Sequence, residues 1–246
     1  MITCLYAGGD SWTEGDELGL PWDDISTPVY RYNNSWPKLL ADKLEVTCVN
    51  DGMRGTSGAR IFRRATRFIH NWCKNRDGSN LLVVVCWTTL DRDELPIDVE
   101  YPSQTVPYYI PYHSYKYNMP LLSKLSKVDG LINETLNKMH PLYTVTLGDE
   151  SRAEMQYERM WNLKQIASSL GVKLIQTFAL DPPHFDSRRR GFRNDWQREL
   201  EYYPIHFINF CRNHNIPLGQ GGHCLEEGHQ QWAEQINELY TNNIKS

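Results

Sequence analysis

The stretch ITCLYAGGDSW, residues 2–12, decides the fold of this 246-residue chain. An apolar run that ends at Gly8 and Gly9 predicts a buried first strand followed by a tight turn. Ser11 stands just beyond that strand, and a serine held out at a strand end is a common arrangement for a nucleophile in α/β folds. The sequence therefore predicts a serine at the carboxyl edge of a sheet.

Apolar runs and helical patterns alternate along the rest of the chain. The patterns predict strands over about 2–7, 46–49, 81–87 and 172–178, and helices over about 35–44, 58–72, 120–139, 151–170, 196–212 and 225–241. The run 81–87 is apolar without a break, as expected for a strand that is covered on both faces. The predicted fold class is α/β, a flavodoxin-like three-layer α/β/α sandwich around a mainly parallel sheet of about five strands.

The length predicts a single domain, residues 1–246, with two long loop insertions. Residues 91–118 are rich in tyrosine and proline, and residues 181–195 contain an arginine run. Each segment follows a predicted strand, so we expect both to overhang the active edge of the sheet. The tyrosines suit either a platform for a sugar or an interface with a protein partner.

The charge balance argues against a nucleic-acid partner. The formal net charge is −4, whereas dedicated nucleic-acid binders normally carry a basic excess. Four arginines with helical spacing predict either a solvated helix face or a contact with phosphate or another chain: Arg60, Arg63, Arg64 and Arg67.

Cysteine usage and hydropathy predict a protein that is cytoplasmic as synthesised. The six cysteines include no C-x-x-C pair, which predicts reduced thiols and no metal site. The first predicted strand begins at residue 2, so we expect no signal peptide. No apolar run approaches the ~20 residues that span a bilayer, so no membrane partner is expected.

A histidine near the other end of the chain completes a candidate catalytic pair. His223 follows Gly221 and Gly222 and precedes the last predicted helix, from which it can reach Ser11 as a general base. The alternatives are ordinary turn chemistry for Ser11 and a capping loop for His223. His229, inside the helix, is predicted to be structural.

Four sequence blocks in this order resemble the SGNH hydrolases, the GDS-type esterases and lipases. They are Gly9-Asp10-Ser11, the stretch 50–57, the stretch 86–89 and the stretch 223–229. The resemblance implies that Ser11 is the nucleophile, His223 the base, and the backbone N–H groups of Ser11 and Gly55 the donors to the oxyanion. It implies ester hydrolysis without a metal or an organic cofactor.

Two blocks depart from that pattern. Where the family has Gly-x-Asn-Asp, this chain has Cys86-Trp87-Thr88-Thr89, so Thr88 is the candidate third oxyanion donor. Where the family has an aspartate three residues before the histidine, this chain has Gln220. His223 is therefore expected to be oriented by a backbone carbonyl, by Gln220 or by a remote carboxylate.

The segment after the third strand, WTTLDRDE at 87–94, resembles SGNH-like proteins of bacteriophages. Arg92 in this segment either pairs with Glu94 or faces an anionic group of the substrate. The residues predicted to form a substrate rim are Trp12, Trp87, Arg92, Tyr108 and Tyr109.

Two functions remain open on the sequence alone. The first is a serine ester hydrolase whose substrate is an acylated carbohydrate or another ester, with removal of O-acetyl groups as the leading expectation. The second is a structural or binding protein, incorporated into a virion, on a degenerate hydrolase scaffold. A nucleotide-binding regulator is the weakest alternative, because no G-x-G-x-x-G or Walker loop follows a strand.

Overall fold

A computed structural model describes most of the chain around one parallel sheet. It describes residues 1–19, 27–89, 92, 151–180, 200, 203 and 206–242, with the backbone alone for 94–101, 104–111, 149–150 and 243–244. The predicted helix over 120–139 and the insertion at 181–195 lie outside the described residues.

Four parallel strands form the sheet. They are β1 (Cys4–Gly9), β2 (Thr47–Gly52), β3 (Leu81–Trp87) and β6 (Lys173–Phe178), in the spatial order β2-β1-β3-β6. β1 is central and pairs in parallel with both β2 and β3. The predicted α/β class with a parallel sheet is confirmed, with four strands in the described part of the chain where about five were expected.

Part of the first predicted insertion is a hairpin rather than an irregular loop. Strands β4 (Glu94–Tyr101) and β5 (Gln104–Pro111) pair in antiparallel fashion. The prolines in this segment concealed the strands from sequence reasoning. A two-stranded ribbon tolerates prolines such as Pro96 and Pro107, because each strand bonds to a neighbour on one side only.

Seven helices accompany the strands in the described residues. They are α1 (Ser11–Glu14), α2 (Thr27–Asn34), α3 (Trp36–Lys43), α4 (Gly58–Cys73), α5 (Asp149–Ser169), α6 (Phe207–Asn213) and α7 (Glu226–Ile244). The sequence did not predict α2. That helix buries only Thr27 and Arg31 while Val29 and Tyr30 are exposed, so it carries no apolar stripe to reveal it. No helix in the described residues has the length and apolarity to cross a bilayer.

A separate hydrophobic core lies on each face of the sheet. Leu5 and Ala7 of β1 face one core, and Cys4 and Tyr6 face the other, because alternate side chains of a strand point in opposite directions. The first core contains Trp36 of α3, Phe207 of α6 and Trp232 of α7, and the second contains Ile61 and Ile69 of α4 with Met160 of α5. Helices therefore cover both faces, which confirms the three-layer sandwich.

A disulfide corrects the prediction that all cysteines are reduced. Cys211, in α6, is bonded to Cys224, just before α7, whereas Cys4, Cys48, Cys73 and Cys86 are free. Both bonded cysteines are fully buried. Their spacing of 13 residues matches no recognised motif, and only the packing of α6 beside the loop before α7 brings them together. The disulfide therefore ties that loop to the core.

Candidate active site

Ser11 is presented by a short helix at the carboxyl end of the central strand. Asp10 caps α1: its side-chain Oδ1 accepts a hydrogen bond from the Trp12 N–H at 3.1 Å. A cap of this kind satisfies one of the backbone donors that a helix leaves unpaired at its first turn. The β1–α1 connection therefore fixes Ser11, 4% exposed, at the edge where the sequence places it.

His223 lies on a compact loop before α7. Leu218 and Cys224 form an isolated antiparallel bridge, and the Gly219 N–H donates to the His223 carbonyl at 2.8 Å. The loop is thus closed on itself at its base, where the disulfide also attaches. His223 projects from it toward α1.

The structure brings Ser11 and His223 into hydrogen-bond contact. Ser11 Oγ is 2.8 Å from His223 Nε2, and His223 Nδ1 is 3.1 Å from Oε2 of Glu17. A carboxylate only accepts hydrogen bonds, so the ring proton belongs on Nδ1, and the lone pair on Nε2 then accepts the serine hydroxyl. The arrangement is a serine, a histidine and a carboxylate joined by two contacts of hydrogen-bond length, the reach that proton transfer needs.

Glu17 also organises the loop that carries the histidine. In addition to contacting the His223 ring, its carboxylate accepts hydrogen bonds from the backbone N–H groups of Gly221, at 2.5 Å, and His223, at 2.9 Å. Partial burial favours the neutral form of Glu17, but these hydrogen bonds and the nearby imidazole outweigh it and lower the pKa of the carboxyl. Glu17 therefore stays ionised at neutral pH and keeps the imidazole in one tautomer.

Glu17 is a candidate site residue that the sequence did not reveal. The residues just before His223 contain no acid, and Gln220 was one of the three orienting groups expected there or elsewhere. The acid instead comes from the loop after α1, 206 positions earlier in the chain. Its backbone lies in the left-handed region, with a φ of 65°, an uncommon conformation for a residue other than glycine and one that clusters at functional sites. Of the three alternatives, the structure shows the remote carboxylate.

The turn that contains Gly55 is fastened to α1, the helix that begins at Ser11. The Met53 N–H donates to the Gly9 carbonyl at 3.1 Å, and the Arg54 N–H donates to Glu14 Oε2 at 2.6 Å. At Gly52 a Cβ would lie 2.3 Å from the Glu14 nitrogen, so only glycine permits this approach. Gly55 follows in this turn with a φ of 69°. The second block is therefore held against the first through Gly9 and Glu14.

Thr88 does not fit the predicted role of oxyanion donor. Its hydroxyl donates to Oδ2 of Asp10 at 2.8 Å, and Thr88 is only 1% exposed. A hydroxyl has a single proton, and here a carboxylate accepts it. Arg92 Nη1 contacts the same Asp10 oxygen at 2.9 Å and Thr88 Oγ1 at 3.1 Å. Asp10 is thus the described partner of Arg92, and the side chain of Glu94 lies outside the described residues.

Two predicted rim residues belong to the core instead. Trp12 is 3% exposed and packs edge-on against Phe207, with its ring 5.3 Å from that of His223. Trp87 is fully buried, and its Nε1 donates to Gln176 at 3.1 Å. Both tryptophans are therefore core residues next to the site, and neither ring is exposed to solvent.

The remaining predicted rim residues are placed only in part. Tyr108 and Tyr109 lie on β5, opposite Ile97 and Pro96, and their side chains lie outside the described residues.

No cluster of three histidine, cysteine, aspartate or glutamate side chains suited to a metal ion occurs in the part of the chain that the structure describes.

Comparisons with known proteins give a family model and a fold likeness. A model described as "Family of unknown function (DUF6071)" matches residues 19–129, a segment that begins after Ser11 and ends before His223. No curated protein matches the sequence.

Two solved structures are similar to this chain. One is a protein assigned to the G-D-S-L family of lipolytic proteins from Desulfitobacterium hafniense DCB-2, with a TM-score of 0.47 and 13% identity over 96% of this chain and 99% of that chain. The other is a member of the lipolytic protein G-D-S-L family from Veillonella parvula DSM 2008, with a TM-score of 0.45 and 14% identity over 97% of this chain and 98% of that chain.

Proposed function

We propose that the protein is a serine ester hydrolase that uses Ser11, His223 and Glu17 as a catalytic triad. The observation that carries the proposal is the unbroken chain of contacts from Ser11 Oγ through both ring nitrogens of His223 to Glu17. A capping histidine would not need a serine on one nitrogen and an ionised carboxylate on the other. This chain of contacts favours a working site over a degenerate one.

In the proposed reaction Ser11 Oγ attacks the carbonyl carbon of the ester while His223 Nε2 takes the hydroxyl proton. The carbonyl oxygen becomes an oxyanion, for which the backbone N–H groups of Ser11 and Gly55 are the proposed donors. The alcohol leaves with the proton from His223, and an acyl-serine remains. Water then attacks this acyl group and gives a proton to His223, which passes it to Ser11 Oγ as the carboxylic acid leaves.

We further propose that the substrate is an ester of a small acyl group on a carbohydrate. The support is the composition of the segment 101–117, which contains Tyr101, Tyr108, Tyr109, Tyr112, Tyr115 and Tyr117. Aromatic rings with a polar tip bind the apolar face of a sugar and its hydroxyls together. An acetylated polysaccharide should therefore release acetate faster than p-nitrophenyl esters of long acyl chains are hydrolysed.

A fluorophosphonate probe tests the proposed function directly. We expect the full-length protein to be labelled on Ser11, as read by mass spectrometry of the labelled peptide, and Ser11→Ala to abolish both labelling and ester hydrolysis. Ser79→Ala, which changes an exposed serine outside the site, is the control and should label normally. Absence of labelling in the unchanged protein would instead favour the binding or virion protein.

A further inference from the structure

A second carboxylate lies directly behind the nucleophile and has its own partner. Asp10 is fully buried, and three donors converge on it: the Trp12 N–H, the Thr88 hydroxyl and Arg92 Nη1. Burial raises the pKa of the Asp10 carboxyl, and the attraction of Arg92 and the hydrogen bonds oppose that rise. Donors on both oxygens match an ionised carboxylate, which accepts and does not donate.

This carboxylate connects Arg92 to Ser11 through two of its atoms. Oδ2 binds Arg92 and Thr88 from the segment after β3, and Oδ1 caps the helix whose first residue is Ser11. Arg92 has an exposed side-chain fraction of 17%, so the ion pair is largely shielded from water. Removal of one partner from a shielded pair leaves the other charge uncompensated, which is far more disruptive than loss of a surface pair.

The two carboxylates of the site have different partners. Glu17 serves the His223 imidazole, and Asp10 serves the Arg92 guanidinium. An unpaired anion at Asp10 would oppose the negative charge that develops on the substrate oxygen beside Ser11, because such charges act strongly in a site with little water. Arg92 is placed to cancel that charge and to hold the cap in position at the same time.

We propose that Arg92 is a positioning residue for the turn that carries Ser11. Arg92 acts through Asp10 and not by contact with the substrate. The inference rests on the proposed function, since it concerns the reactivity of Ser11. It makes the segment after β3 a support for the nucleophile, where the sequence had indicated a rim that faces an anionic substrate. Its distinctive consequence is that the effect of Arg92 depends on the charge of Asp10.

A double-mutant cycle in the full-length protein tests this dependence. The four proteins are the unchanged chain, Arg92→Gln, Asp10→Asn and the double variant, compared by the rate of fluorophosphonate labelling of Ser11 and by kcat and KM for neutral p-nitrophenyl acetate. Arg92→Gln should lower kcat on the order of 10- to 100-fold with KM little changed, because displacement of a reacting atom by ~1 Å costs about that much. In the Asp10→Asn background the same change should cost less than about threefold, because no buried charge is left uncompensated.

Two further variants separate this role from general destabilisation. Arg64→Gln removes another arginine–aspartate pair, with Asp51 at the end of β2, and should leave labelling within about twofold of normal. Arg92→Lys keeps the charge but loses the planar fork, so it should retain more activity than Arg92→Gln. Arg92→Met, which also removes the charge, replaces Arg92→Gln in the cycle if that variant does not fold. Thermal unfolding of each variant, measured alongside, ensures that rates are compared in folded protein.

The outcomes distinguish this inference from the proposed function. Equal losses from Arg92→Gln in both backgrounds, or a loss confined to KM, would show direct contact with the substrate and overturn the inference while the serine hydrolase stands. If the unchanged protein is not labelled at Ser11, the proposed function fails and the inference fails with it.

Discussion

The loop that carries His223 and the helix that carries His229 place the same residue type in opposite environments. His223 lies partly exposed between Ser11 and Glu17, both within hydrogen-bond distance of its ring. His229, in the first turns of α7, is 1% exposed, and its Nδ1 accepts the Trp36 N–H at 3.1 Å. Burial, with repulsion from His223, lowers the pKa of His229 to about 3. A carboxylate neighbour and access to water make one imidazole a candidate base, and their absence makes the other a neutral structural acceptor.

The largest expected effect follows from removal of the exposed imidazole. His223→Gln should lower ester hydrolysis by ~10⁴-fold or more, because loss of a triad base removes proton transfer in both half-reactions. Thermal unfolding should change little, since the side chain is not part of either core. Steady-state kinetics with p-nitrophenyl acetate measure the loss, and activity within tenfold of normal would contradict the role of His223 as the base.

Replacement of the carboxylate should have the next largest effect. Glu17→Gln keeps the size of the side chain but removes its charge, so the imidazole loses the carboxylate that accepts from Nδ1 and fixes its tautomer. We expect kcat to fall by ~10²- to 10⁴-fold. Glu234→Gln is the matched control, because Glu234 accepts from Lys43 at the surface and takes no part in the site. Equal rates for the two variants would mean that the Glu17 carboxylate does not orient His223.

Acid should destabilise the protein through His229. The unfolded chain binds a proton on this imidazole near pH 6.5, whereas the folded protein excludes it down to about pH 3. The unfolded state binds more protons between these values, so the free energy of unfolding falls as pH falls, by roughly 5 kcal/mol across the whole window.

His229→Asn isolates this contribution. Asparagine keeps an acceptor for the Trp36 N–H and does not titrate, so the difference between the two proteins in urea unfolding should shrink steadily from pH 7 to pH 4. A difference that is constant with pH would mean that His229 is protonated in the folded protein as easily as in the unfolded chain.

The disulfide should contribute less than the buried histidine. Cys211→Ser combined with Cys224→Ser opens a loop closed over 13 positions and should lower the free energy of unfolding by about 3 kcal/mol. Hydrolysis should also fall, because Cys224 adjoins His223. Cys73→Ser changes a free cysteine and is the control. Equal urea midpoints for the double variant and this control would mean that the disulfide does not stabilise the fold.

The smallest expected effect concerns the backbone of the histidine loop. Gly222 has a φ of 85° with open space around it, so Gly222→Ala should cost about 1 kcal/mol from the backbone alone. Gly171→Ala, at a φ of 69° in a turn away from the site, should cost a similar amount. Only the first should slow ester hydrolysis. If both variants hydrolyse esters equally fast, the His223 loop does not depend on its left-handed residue.

Local sequence patterns predicted the layers and the edge of the sheet. Continuous apolar runs at β1 and β3 and the apolar stripe of α4 express burial directly, so their type and order could be read from the chain. The hairpin β4–β5 was missed because its prolines obscure the strand pattern. Helix α2 was missed because it exposes apolar residues.

The candidate site could be predicted only where its residues are marked by local context. Ser11 follows a strand and glycines, and His223 follows glycines and precedes a helix. Glu17 carries no such mark, since it is one of several acidic residues after Ser11. The roles expected for Thr88, Trp12 and Trp87 depended on which way each side chain points, and the structure turns Thr88 to Asp10 and both tryptophans into the core.

The sequence by itself determined the alternation of strands and helices, the position of a serine at the end of the first strand and a histidine before the last helix. Periodicity and turn chemistry are properties of neighbouring residues, so they survive in a linear chain. Only the tertiary structure decided which carboxylate meets the imidazole, which cysteines pair and which partner holds Asp10. Each of those contacts joins residues far apart in the chain, and their partners are selected by packing.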